Sequence, residues 1–138
     1  MKFGALGLLL LVFSGTLAAG DYRIGVMPSS KHWDSSKDYN ERHEGVFLEL
    51  RLNRRDWLGG MNYENSSDRT SNLWYFQREL PINEYVSWGF TVGGVTGYKP
   101  NRPMLFSSFV LSIHFGHVGV RAQIIPLIVN GYQAYVEF

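Results

Sequence analysis

Apolar and polar residues alternate with a period of two over much of the chain. In the last seven residues Tyr132, Ala134, Val136 and Phe138 fall on one side, and Gln133, Tyr135 and Glu137 on the other, as side chains of a strand do. Val46, Leu48, Leu50 and Leu52 alternate in the same way with Phe47, Glu49, Arg51 and Asn53. So do Val86, Trp88, Phe90 and Val92 with Ser87, Gly89, Thr91 and Gly93, and Val118, Val120, Ala122 and Ile124 with Gly119, Arg121, Gln123 and Ile125. A helix would scatter each set around its axis. The pattern predicts strands over 22–32, 45–53, 56–63, 73–80, 85–96, 104–115, 118–125 and 131–138. Short connections (54–55, 81–84, 116–117) alternate with longer ones (33–44, 64–72, 97–103, 126–130), the habit of outer-membrane barrels with long outer loops and short periplasmic turns. The expected fold is all-β: an eight-stranded antiparallel transmembrane β-barrel.

The direction of the greasy face decides between membrane and water. A soluble barrel buries its aliphatic side chains, whereas a membrane barrel turns them to lipid. One face here is Val, Leu, Ile, Phe and Trp, and the other carries Glu49, Arg51, Arg121, Gln123 and Glu137. Alternation alone does not say which face is inside, so a soluble periplasmic lipid carrier stands as the alternative. The aromatic end of the last strand, Phe138, favours the membrane, as do aromatics near strand ends (Trp57, Tyr63, Trp74, Tyr75, Tyr85) suited to interfacial girdles. An eight-stranded barrel fills its narrow interior with side chains. Its charges must then be paired, as Glu49 or Glu137 with Arg51 or Arg121.

The first twenty residues add a compartment. Lys2, the apolar run from Leu6 to Phe13 and the small residues Ser14 to Gly20 make a signal peptide over 1–19, with the barrel over 20–138. The run is shorter than the roughly 20 residues of a spanning helix. At 138 residues the chain is too short for two ordinary domains, and at 15% aromatic it is too rich in core formers for disorder. A net charge of +1 removes the case for a nucleic-acid partner. With no cysteine, thiolate metal sites, thiol nucleophiles and lipoprotein anchoring are excluded. No H-E-x-x-H, phosphate loop or internal repeat is present, so no metal or cofactor is expected.

Candidate chemistry lies beside the long loops. His32 ends the first strand and Asn65-Ser66 ends the third, which places them at one external rim. A His beside a Ser hydroxyl is the minimal nucleophile–base pair. His43 reads as a solvated loop residue, His114 as a strand residue near a turn, and His117 as a turn residue of the opposite rim.

Several stretches resemble the PagP-type lipid A palmitoyltransferases of the outer membrane. Asp38-Tyr39-Asn40-Glu41-Arg42 followed by Gly45 is similar to that family's Tyr-Asn-Glu-Arg stretch after its catalytic His. Gly89-Phe90-Thr91-Val92-Gly93-Gly94-Val95-Thr96 looks like its central strand, Ile124-Ile125-Pro126 like its Tyr-Ile-Pro, and both chains close on Phe. The resemblance spans 32–138 at low overall identity. It implies that His32 and Ser66 are catalytic. Asn65 stands where the family has an Asp, and Asp68 offers a substitute carboxylate. The family's preceding amphipathic helix has no counterpart here. The resemblance further implies a monomeric barrel in the cell outer membrane with its site facing the exterior. It would move a palmitoyl chain from an outer-leaflet glycerophospholipid to a hydroxyl of lipid A in lipopolysaccharide, without a cofactor. Tyr39, Arg42 and Lys99 would bind substrate, Pro103 and Pro126 would flank a lateral gate, and Ser87, Gly89 and Gly93 would line an acyl cavity. The alternative function is a non-catalytic small outer-membrane barrel with a structural, adhesive or exclusion role.

Overall fold

The computed structural model describes residues 21–32, 44–65, 69–99, 102–125 and 129–138, with backbone alone at Lys99 and Val129. Its strands are β1 (Tyr22–His32), β2 (Gly45–Arg51), β3 (Asp56–Glu64), β4 (Thr70–Pro81), β5 (Val86–Lys99), β6 (Arg102–Phe115), β7 (Val118–Ile125) and β8 (Val129–Glu137). Each pairs antiparallel with its neighbours in sequence, and β1 pairs with β8 to close the cylinder, with Arg23 opposite Glu137 and His32 opposite Val129. Closure leaves no continuous edge strand, the condition for crossing hydrocarbon in the β form.

Strands fall where the alternation puts them, but three of the four long connections are shorter than expected. β5 and β6 run to Lys99 and Arg102, so the expected loop 97–103 shrinks to residues 100–101. Gly97, at φ +94, and a register shift between Val95 and Lys99 carry the hairpin past the point where alternation fails. β4 starts at Thr70 because polar side chains pair across the ladder: Asn62 donates to Asn72 at 2.9 Å.

The two faces sort as a membrane barrel requires. Ile24, Trp74, Phe90, Phe109, Leu111 and Val136 stand exposed on the outside. Arg23, Glu49, Gln77, Thr91, Arg121 and Gln133 are buried within. A soluble carrier would show the reverse, so the protein is a transmembrane β-barrel of the outer-membrane type. At the end holding the short turns, Tyr22 stacks on Phe138 at 5.1 Å and Tyr85 lies 6.0 Å from Phe115. Three of the expected girdle aromatics face inward instead. Trp57 lies under the Arg23 guanidinium at 3.7 Å, and Tyr63 and Tyr75 are likewise buried in the interior. Their register phase, shared with Gln77 and Ser71, decides this over their position near strand ends.

The half of the interior nearest the short turns is filled. Arg23 forks onto Glu79 at 2.8 and 3.2 Å and reaches Glu137 at 3.0 Å, while Arg51 also binds Glu137. Arg121 donates to Glu49 at 2.5 Å and to Gln133, and Tyr75 donates to Glu49 at 2.6 Å. Three arginines thus face three glutamates, which is how a narrow interior tolerates charge. The expected pairs Glu49–Arg121 and Glu137–Arg51 both form. Space is shared by opposing large and small residues: Gly25 faces Phe47, Gly59 faces Tyr75 and Gly119 faces Tyr135. A Cβ at any of these glycines would come within 2.3 Å of the opposing ring.

Candidate functional site

Toward the other end the filling stops. A cavity of about 520 Å³ is walled by Met27, Met61, Leu73, Val95, Phe106 and Ile125, with Ser30, His32, Tyr63 and Tyr98 as its main polar groups. The volume falls in the range of small-ligand pockets, about 300–1,000 Å³. Apolar walls with a few convergent polar groups are the usual composition of a small-ligand site. The small residues expected to line it lie elsewhere. Gly89 and Gly93 pack against the β4 backbone, and Ser87 Oγ bonds His114 Nε2 at 2.8 Å, with Tyr135 OH on Nδ1 at 2.5 Å.

Two irregularities in the ladder place the polar groups. Counting from Arg23, Gly25 and Met27, alternation sends Ser29 and Lys31 inward and His32 to lipid. A register shift between Val26 and Ser29 inverts the phase, so Ser30 and His32 are buried and Lys31 is exposed. On β5, counting from the buried Val95, Tyr98 should point out. The shift around Gly97 turns its ring into the cavity, where its hydroxyl lies 2.9 Å from that of Tyr63. Bulges re-aim side chains in this way near functional sites.

Asn65 ends β3 at the same end of the barrel and is fully buried. Its Oδ1 accepts from the Arg69 backbone N–H at 3.2 Å, and its Nδ2 donates to Ser71 Oγ at 2.9 Å and to the Gly97 carbonyl at 3.1 Å. The fold therefore brings His32 and Asn65 to one end, with the backbone of Lys99 at the close of β5 beside them. Ser66, Asp68, Tyr39, Arg42 and Pro126 lie outside the described residues. His114 and His117 sit at the opposite end, where His117 Nδ1 is 3.1 Å from the Glu137 carbonyl. Among the described residues no group of three His, Asp or Glu is placed to hold a metal.

Among the described residues the β6–β7 ladder ends at Phe109 opposite Ile124, while β6 continues back to Arg102 paired only with β5. Pro103 lies on this stretch, and Leu105, 92% exposed, and Ser107 both line the cavity there. The cavity therefore abuts the lipid-facing surface between β6 and β7.

Fold and site together define a small transmembrane β-barrel, solid at the short-turn end and hollow at the other. No protein-family model matches the chain, and no curated protein does. Among solved structures the chain is similar to the crystal structure of Ail, the attachment invasion locus protein of Yersinia pestis. The two share 12% identity over 87% of this chain and 98% of that one, with a TM-score of 0.39.

Proposed function

We propose that the barrel is an outer-membrane acyltransferase that moves a palmitoyl chain from a glycerophospholipid to a hydroxyl of lipid A, its site facing the cell exterior. The observation that carries this reading is the apolar cavity of about 520 Å³ with a buried histidine in its wall and, among the described residues, a stretch of β6 beside it that is paired only with β5. A barrel serving only as a wall or an adhesin has no use for such a space. The donor chain would enter from the bilayer between β6 and β7. Its ester would come to rest near His32, which takes the proton of the attacking hydroxyl as general base and gives it to the lysophospholipid oxygen as the donor ester bond breaks. Ser66 is the proposed nucleophile or acceptor-positioning hydroxyl, and Asp68 the carboxylate orienting the imidazole, since the Asn65 Oδ1 that would accept from the ring N–H already accepts from the Arg69 backbone N–H. Tyr39, Arg42 and Lys99 would meet the lipid head groups. Acyl exchange between two lipids is near isoenergetic and calls for no cofactor.

Lipid A mass spectrometry of cells expressing the chain tests the reading. One added palmitoyl group is expected with the wild type and none with His32→Ala or Ser66→Ala. An unchanged lipid A profile from a folded, membrane-embedded wild type overturns it and leaves the non-catalytic barrel.

A further inference from the structure

The hydrogen bonds behind the cavity wall run in one direction. A backbone N–H can only donate, so the oxygen of the Asn65 amide faces Arg69 N and the nitrogen faces Ser71 and the Gly97 carbonyl. Ser71 Oγ accepts from that nitrogen, which frees its own hydrogen for Tyr63, its cross-strand neighbour and hydrogen-bond partner. Tyr63 in turn donates to Tyr98, whose hydroxyl is 2.9 Å away. Tyr98 is left with a hydrogen and no acceptor among the described residues, on a side chain that lines the cavity together with His32. Successive bonds of one sense polarise each other, making the last member a stronger donor.

We infer that the Tyr98 hydroxyl is the donor that grips the carbonyl oxygen of an acyl ester seated in the cavity, with Asn65, Ser71 and Tyr63 as the positioning residues that hold it in that role. Naming the ligand as an ester rests on the acyltransferase reading; the donor and its direction rest on the relay itself. Gly97 makes the relay possible. A Cβ there would lie 2.5 Å from Ser71 Oγ, and the φ of +94 is one that other residues rarely adopt. The donor is aimed from the cavity wall, where a preorganised hydrogen bond to developing charge on an oxygen favours the transition state.

The test uses the full barrel in a detergent without carbonyl groups, with palmitoyl lysophosphatidylcholine carrying ¹³C at its ester carbonyl, below one equivalent. Infrared spectra of the wild type should show a bound ester band moved to lower frequency. Tyr98→Phe, which keeps the ring, should return the band to its free position, and Tyr85→Phe, at the opposite end, should leave it moved. Tyr63→Phe should bring the band part of the way back, and serves alone if Tyr98→Phe loses its heat-modifiable mobility. No moved band in the wild type, a moved band surviving in folded Tyr98→Phe, or no change in Tyr63→Phe overturns the inference. A band that behaves as expected in a protein that transfers no palmitate supports the donor and overturns the acyltransferase reading instead. Where transfer is seen, Tyr98→Phe should lower kcat about 100-fold with little change in KM.

Discussion

Replacing Glu49 by Leu tests the buried charge network. Glu49 is fully buried and accepts from Arg121 at 2.5 Å and Tyr75 at 2.6 Å, with Arg23 at 3.6 Å. The substitution leaves Arg23, Arg51 and Arg121 against Glu79 and Glu137, so the buried Arg121 guanidinium loses its counter-charge. Removing one partner of a buried pair costs about 3–5 kcal/mol. At 1.4 kcal/mol per decade that is roughly a 100- to 3000-fold change in the unfolding constant. Removing Arg121 as well, as Met, restores the balance at two against two. The double variant should therefore be more stable than either single one, with a coupling of about 2 kcal/mol or more. Urea unfolding in lipid vesicles, followed by tryptophan fluorescence and by heat-modifiable mobility, gives the three values. A Glu49→Leu cost under about 1 kcal/mol, or a double variant equal to the sum of the singles, would refute the idea that the network is held by mutual charge compensation.

Two further substitutions probe the two faces. Phe109→Arg places a guanidinium on the lipid side at a position 54% exposed, and should cost about 2–4 kcal/mol in the same unfolding measurement in vesicles. A cost under 0.5 kcal/mol would mean that this face does not meet hydrocarbon. Gly119→Leu drives a side chain into the Tyr135 ring, which a Cβ alone would already approach to 2.2 Å, and should cost about 1–3 kcal/mol, read as a lower urea midpoint.

Much of the barrel is legible in the alternation. Strand positions, antiparallel order and the pairing of Glu49 with Arg121 follow from period-two phase and from the rule that buried charges need partners. What escaped detection does so for one reason: phase counting fails wherever a bulge adds a residue. Ser30 and Tyr98 enter the cavity only because β1 and β5 shift register, and Pro28 marks the first of these shifts, since a proline inside a strand pattern sits at an edge or a bulge. Gly97 announces the second, since an isolated glycine inside a strand pattern marks a bulge. Trp57 is misplaced for a different reason, since its strand-end position suits a girdle while its regular phase takes it beneath Arg23 and Arg51. His32 was found through its chain position and the family resemblance, while its inward aim depends on the β1 shift that alternation does not contain.

The central claim is that the hollow end of the barrel seats one acyl chain, and its methionines report on it. Met27, Met61 and Met104 all line the cavity. With methyl-labelled methionine, leucine and valine in the full barrel, a deuterated detergent and a protonated phospholipid, nuclear Overhauser spectra should show contacts from the Met27 and Met61 methyls to the methylene protons of the lipid. Silence at both methyls, while outward residues such as Leu111 and Val136 show such contacts, would contradict the account.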